Sequence, residues 1–350
     1  MTENKERIVL DVAYQPQVKT SRDTKSIMLD VIIALIPAVI AAVLQFGAYV
    51  LVPIAASVAS AVLFEWAYRK LMKKDCRIGD FSACVTGLLL ALVLPPSTPW
   101  WVPVVGTFFA IVVVKQLYGG IGKNFLNPAL AGRAFLLASY TTILGTWTTG
   151  KVGVDAVTSA TPLSYLYSGE AVPFSIGDMF LGSIPGSIGE ISTLALLIGG
   201  AYLLIRKVIS WRIPVTYIGS VAILTLIFGH AGYTNAQWMV YNLLSGGLFL
   251  GAIFMATDYA TSPVTLNGQL LYGFGCGALT VLIRYFGGFP EGVTYAILIM
   301  NLCSWAIDKA FHRSQFGAKK KKYVRYENKA DKYEKLAEKY REKAGADKYE

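Results

Sequence analysis

The chain has 350 residues, is 54% hydrophobic and 15% charged, and carries a formal net charge of +10. That composition excludes an ordinary water-soluble domain, because apolar runs of about 20 residues are what a bilayer core demands. Cys76, Cys84, Cys276 and Cys303 form no C-x-x-C pair and the only histidines are His230 and His312, so no zinc or iron–sulfur centre is expected and redox chemistry would need an organic cofactor.

The chain opens with "MTENKERIVLDVAYQPQVKTSRDTK", which is polar and charged and lacks a short apolar stretch followed by a cleavage site. Residues 1–26 therefore read as a retained N-terminal segment. Apolar segments follow near 27–46, 48–71, 80–94, 100–118, 127–140, 190–209, 211–229, 238–258, 268–288 and 292–311. The expectation is an all-α polytopic membrane protein with about ten transmembrane helices.

Basic residues near span ends stay on the cytoplasmic side. With the N-terminus inside, the count is five before the first span, five at 69–77, three at 115–133, three at 206–212 and fourteen from Lys309 onward. That places 30 of 32 inside, with Lys151 and Arg284 outside. Both termini are then cytoplasmic, in a cell inner (cytoplasmic) membrane, and the polar stretch 141–189 is extracytoplasmic.

An internal repeat divides the spans. "GTFFAIVVVK" (Gly106–Lys115) matches "GCGALTVLIR" (Gly275–Arg284) at an offset of 169, and each precedes a Gly-Gly pair. "TGLLLALVL" from Thr86 resembles "SGGLFLGAIF" from Ser245. Five-span units have an odd number of crossings, so 27–140 and 190–311 read as inverted repeats, an architecture that puts a site at the interface of the halves. The bland alternative is that Gly-rich apolar segments look alike by composition.

The tail, 312–350, reads as a basic, charged, solvated helix with Tyr326, Tyr333 and Tyr340 at seven-residue spacing. Its Lys319–Lys322 run could also dock on anionic membrane lipid or a cytosolic partner. No nucleic-acid partner is expected.

The stretch "DAVTSATPLSYL" (Asp155–Leu166) stands out in the polar loop. Taken alone, Thr161 caps a short helix that begins at Pro162. Yet Asp155-Ala156-Val157-Thr158-Ser159-Ala160-Thr161 also fits D-x-x-[ST]-[GS]-A-T, the pattern at which flavin transferases attach FMN through a phosphodiester to the final threonine. With "GKNFLNPALAGRAFL" (Gly122–Leu136) and "GAIFMATDYATSP" (Gly251–Pro263), the chain to about residue 316 resembles the NqrB/RnfD family. Its members are D subunits of the Rnf ion-translocating ferredoxin:NAD oxidoreductase and, at lower closeness, B subunits of the sodium-pumping NADH:quinone reductase. Ser159 departs mildly from the commoner glycine, and the tail has no useful counterpart.

The resemblance implies a redox-driven translocase component with covalent FMN on Thr161, a noncovalent riboflavin, and Na⁺ or H⁺ as the moved ion. Implied partners are the other Rnf subunits: a membrane-anchored, FMN-bearing G subunit, the membrane-embedded A and E subunits, a cytoplasmic C subunit on the NAD side and a B subunit on the ferredoxin side. A flavin transferase is implied for maturation. Small neighbours, Ser159 and Ala160, should leave the Thr161 hydroxyl accessible, and Asp155 could engage the transferase's metal or bond within the loop. A tethered flavin suits an electron relay, the protein supplying position and electrostatics.

For the second flavin the candidates are Asn127-Pro128, opening the short fifth span where helix N–H groups are unpaired, and Thr257-Asp258, closing the eighth. Their plain readings are an N-cap followed by proline and a boundary charge. Arg133, inside the fifth span, needs an anion, a polar cavity or a cofactor oxygen. Asp30, Glu65, Asp80 and Asp308 read as solvated charges near span ends, and no metal or catalytic residue is assigned. The competing functions are a urea-channel-like solute transporter on the same inverted-repeat fold and a cofactor-free scaffold.

Overall fold

The computed structural model describes residues 23–74, 78–152, 157–229, 232–287, 291–311 and 332–338. Asp155, Ala156, His230, the Lys319–Lys322 run, Tyr326 and Tyr340 lie outside them. Residues 332–338 are helical and exposed.

The chain is an all-α, multi-pass membrane protein. Two long helices, α1 (Thr24–Phe46) and α2 (Leu51–Leu71), lead into a short α3 (Ser82–Leu92). Helix α4 (Trp101–Phe108) continues as a π-helix over Phe109–Gln116, and α5 (Pro128–Ser139) follows. The loop expected at 141–189 is structured. It holds α6 (Thr141–Leu144), strands β1 (Thr148–Thr149) and β2 (Val157–Thr158), α7 (Pro162–Ser168) and α8 (Ile176–Leu181).

The second half has α9 (Thr193–Ile205), α10 (Arg212–Phe228), α11 (Asn235–Leu244) and α12 (Leu248–Leu250), which continues as a π-helix over Gly251–Met255. It ends in α13 (Leu266–Phe286) and α14 (Val293–Ala310). Each of the ten apolar segments contains helix, but their lengths differ from the expectation. Among the described residues three helices, at Thr24–Phe46, Ala48–Leu71 and Leu266–Phe286, are long and apolar enough to cross a membrane; the segment expected at 238–258 is two pieces bent by 64°.

The breaks have local causes. Pro95 and Pro96 follow the end of α3 and cannot continue it. Between α11 and α12 the chain runs Ser245-Gly246-Gly247, and Gly246 takes φ +68°, a conformation glycine adopts without steric cost. Apolar side chains cover both sides of the long helices. Leu35 and Phe46 are fully buried, whereas Leu44 and Phe286 are 75% and 85% exposed, as lipid-facing positions require.

Small residues let the helices approach. On α13, Gly273 lies against the Ile213 carbonyl and Gly277 against the Tyr217 carbonyl of α10, a four-residue spacing of the small-xxx-small kind. Gly199 of α9 sits on the Ala34 carbonyl of α1. Gly106 packs on Leu136 of α5, and its offset partner Gly275 packs on Met300 of α14.

Two charges expected at solvated boundaries are buried instead. Glu65 has no exposed surface; its carboxylate accepts from Lys115 Nζ at 2.9 Å and Gln116 Nε2 at 2.8 Å, with Arg69 at 3.3 Å. The Lys115 ammonium also donates to Ser82 Oγ at 2.7 Å. Asp30, 6% exposed, accepts from Tyr202 Oη at 2.9 Å and from Arg206. Helix ends inside a bundle are not water-facing, so proximity to a span end does not place these groups in solvent. Asp308 is likewise engaged, accepting the Val264 and Thr265 N–H groups at 3.1 Å.

Two outcomes test this packing. Gly277→Leu forces a side chain into the α10 backbone and should cost about 1–3 kcal/mol, read by thermal unfolding in detergent; an unchanged midpoint would mean the contact is slack. Glu65→Leu strands the Lys115 ammonium and should cost about 3–5 kcal/mol, while the double variant Glu65→Leu/Lys115→Met should recover much of the loss in the same assay.

Candidate functional site

Three polar centres hold the residues that the sequence singles out. The first is a pocket of about 780 Å³, counted out to its open mouth, where α1, α3, the end of the α4 π-helix, the start of α5 and the segment after α12 meet. It therefore lies between the two halves.

Asn127 sets the start of α5. Its Oδ1 accepts the N–H groups of Ala129 at 3.0 Å and Leu130 at 3.4 Å, and Pro128 at the first helical position needs no partner. Its Nδ2 donates to the carbonyl of Met255, the last residue of the second half's π-helix, at 3.1 Å. With the Asn301 amide oriented to suit its neighbours, the Asn127 N–H donates to Asn301 Oδ1 at 3.1 Å. One side chain thus caps a helix and ties the two halves together.

Asn127, Pro128, Thr257 and Asp258, far apart in sequence, all line this pocket. Lys115 and Asn124 join them, and Val31, Leu89 and Phe254 supply apolar wall. Asp258 Oδ2 accepts from Thr261 Oγ1 at 3.2 Å, and Thr257 Oγ1 donates to the Ile253 carbonyl at 2.6 Å. An apolar slot with a few convergent amides, a hydroxyl and opposite charges suits a planar ring with a polyhydroxylated chain. Lys115 and Asn124 are site residues that sequence reasoning misses. The available signal is a cation inside an apolar run, at the position where Gly106–Lys115 matches Gly275–Arg284 in sequence.

The second centre is the hydroxyl motif. β1 and β2 pair antiparallel with Thr148 opposite Thr158 and Thr149 opposite Val157, and the Ser159 N–H donates to the Trp147 carbonyl at 3.0 Å. This fixes Thr158, Ser159 and Ala160 beside an open shelf that Trp147 and Ser164 also line. Thr161 then caps α7: its Oγ1 accepts the Ser164 N–H at 3.2 Å and shares a hydrogen bond with Ser164 Oγ at 2.9 Å. Thr161 is only 8% exposed, less accessible than its small neighbours suggest, because its oxygen turns inward to the cap. Esterification would remove the hydroxyl proton but leave an oxygen that can still accept the Ser164 N–H, so the α7 cap does not depend on a free hydroxyl.

The third centre surrounds Arg133. Its Nη1 donates to Glu190 Oε1 at 3.0 Å and its Nη2 to the Glu291 carboxylate. Arg133 does not line the pocket; its anions come from distant segments. Glu190 lies against Gly247 at the α11–α12 break, where any Cβ would meet its carboxylate. Arg284 donates to the carbonyls of Asn242 at 2.6 Å and Ser245 at 3.1 Å on the other side of that break. Among the described residues no group of three or more His, Cys, Asp or Glu could hold a metal ion.

Against known families, the NQR2, RnfD, RnfE family model matches residues 11–317. The chain is 47% identical over 315 residues to the D subunit of the Na⁺-translocating ferredoxin:NAD⁺ oxidoreductase complex of Acetobacterium woodii, covering 89% of this chain and 96% of that one. It is 41% identical to the D subunit of the proton-translocating ferredoxin:NAD⁺ oxidoreductase complex of Clostridium ljungdahlii, covering 89% and 97%. It is 33% identical to the D subunit of the ion-translocating oxidoreductase complex of Aliivibrio salmonicida, covering 88% and 99%. With the family model and the relatives all spanning nearly the whole chain, it belongs to the NQR2, RnfD, RnfE family.

Proposed function

We propose that this chain is the membrane electron-transfer component of an ion-translocating ferredoxin:NAD⁺ oxidoreductase, carrying FMN esterified to Thr161 and a noncovalent riboflavin. The observation that supports the reading is the Thr158–Thr161 motif, tied by β1–β2 to an open shelf and ending in a threonine whose oxygen serves the α7 cap as an acceptor, a role an ester oxygen can keep. Flavins exchange one or two electrons, so two of them form a relay. The family's named relatives are D subunits of such complexes, which supports the same place here.

The riboflavin reading rests on the pocket at the start of α5. Asn127, Asn124, Thr257 and Asp258 offer hydrogen-bonding groups of both senses to ribityl hydroxyls and ring carbonyls, and the apolar walls receive the ring. The basic-residue bias supports an extracytoplasmic Thr161 in a cytoplasmic membrane, with both termini inside. Electrons then enter from a membrane-anchored, FMN-bearing G subunit outside and leave toward a cytoplasmic C subunit on the NAD side. The A, E and B subunits complete the assembly, and a flavin transferase loads Thr161. The relatives' names divide between Na⁺ and proton translocation, and the transported cation is one of these.

Denaturing electrophoresis under ultraviolet light checks the attachment: a fluorescent band for the wild type, a weaker one for Thr161→Ser, and none for Thr161→Val. Intact-mass measurement should find one added FMN; a wild-type chain that weighs only its amino acids, made in cells with the transferase, would sink the reading. Asn127→Leu should strip the acid-extractable flavin from the purified complex while the covalent band persists. Full retention of extractable flavin would place that cofactor elsewhere.

A further inference from the structure

Beside α7 lies a second cavity, of about 480 Å³ to its mouth, that the motif itself does not explain. Leu163, Leu166 and Tyr167 of α7 form one wall, Trp238 and Asn242 of α11 a second, and Arg284 and Tyr285 of α13 the floor. Trp238 and Tyr285 meet edge to face, with centroids 6.1 Å apart. The slot is aromatic and narrow, and a cation is built into it.

That cation is out of place by ordinary rules. Arg284 is 6% exposed, and none of the ion pairs among the described residues includes it. Two of its nitrogens go to carbonyls at the C-terminal end of α11, a placement that the helix dipole favours. Its Nε has no hydrogen-bond partner. A buried guanidinium with a spare donor is costly unless something meets it, since polar groups at membrane depth lack water to bond. Glu190 and Glu291 act on it only from farther off.

The slot is also within reach of the motif. A side chain at Gly246 would sit 3.1 Å from Leu163 Cδ2 and 3.3 Å from Arg284 Nη2, so the guanidinium and the first turn of α7 flank the same bare glycine. Leu163 is two residues beyond Thr161. On the other face of α7, the shelf by Trp147 and Ser159 is open and offers no buried donor. A ring resting there would keep much of its apolar face in water; in the slot it would meet aromatic walls and a desolvated cation.

We propose that the slot between α7, α11 and α13 receives the isoalloxazine ring of the flavin esterified at Thr161, and that Arg284 is the positioning residue that raises its reduction potential. This rests on the reading of Thr161 as the flavin-bearing residue. A ring that gains negative charge on reduction is stabilised by a fixed cation in a low-dielectric site, and the carbonyls that hold Arg284 leave its charge available for that role.

The test uses the purified complex, with the covalent flavin resolved from the noncovalent one by difference against Thr161→Val. In-gel fluorescence comes first; loss of the band in the wild type would fail the attachment reading, not this one. In labelled protein, Arg284→Gln should shift the midpoint potential of the covalent flavin downward and Arg284→Lys should restore most of the shift. Tyr167→Ala, at a half-exposed wall position, should raise iodide quenching of its fluorescence several-fold, and Trp147→Leu should change neither readout. Should Arg284→Gln fail to assemble, the Tyr167→Ala arm decides: unchanged quenching overturns the proposal. A potential and quenching that respond to Trp147→Leu, with the Arg284 and Tyr167 variants at wild-type values, would put the ring on the open shelf and overturn it too.

Discussion

Helix ends that lie inside an apolar bundle must find partners for backbone groups that water would otherwise satisfy, and this constraint organises the molecule. At three helix breaks among the described residues, a distant segment meets the freed groups. The N–H groups opening α5 are met by Asn127, which also reaches the Met255 carbonyl. The carbonyls of Leu92 and Leu94, where α3 ends, accept the N–H groups of Gly189 and Ile188. The carbonyls where α11 ends are met by Arg284. The pocket and the slot both sit at such breaks, because a break is where polar groups gather in an otherwise apolar bundle.

The same constraint explains why charge is retained in the interior. Burying a charge is tolerated where a partner is preassembled. Lys115 and Arg284, which the internal repeat aligns, solve that problem differently: the lysine takes a carboxylate and a hydroxyl, the arginine takes two carbonyls. The lysine's pocket is mostly apolar and lies between the halves, whereas the arginine's slot has aromatic walls and lies beside α7. Two basic residues buried in the same bundle thus sit in different environments, and the difference between them is set by what the neighbouring helix contributes.

Much of this is legible in the sequence and some is not, for physical reasons. Apolar run length locates the helices of the bundle but not α6 and α8 in the polar stretch, and it overruns α3, since a run of apolar residues does not register where prolines break the backbone. The Asn127-Pro128 and Thr161-Pro162 caps are readable because capping is local chemistry, decided within three residues. Glu65 and Asp30 read as solvated in the sequence and are not: their partners, Lys115 and Arg206, are 50 and 176 residues away, and no local pattern encodes them. The need of Arg133 for an anion is visible from its place in an apolar run, but Glu190 and Glu291 lie 57 and 158 residues off. That Asn127 and Thr257-Asp258 share one pocket follows only from the packing of the two halves.

On the proposed reading, the two centres call for different means of holding a planar cofactor. The pocket at the start of α5 is walled by segments from both halves, so a ligand there would be held by apolar walls and by hydrogen bonds from both. The motif sits on α7, a helix of seven residues joined to a two-stranded ribbon whose second strand, Val157–Thr158, is exposed. Leu163 and Leu166 anchor α7 against Trp238, but the ribbon that leads into it is exposed, and exposed segments open locally at low free-energy cost. Noncovalent affinity there would be reduced by the fraction of time the segment is open. A phosphodiester removes that dependence, since the ring returns to the same neighbourhood whenever α7 closes, at the high effective concentration a short tether provides. On that reading a tether suits the surface-set motif, whereas walls from both halves serve the pocket at the start of α5.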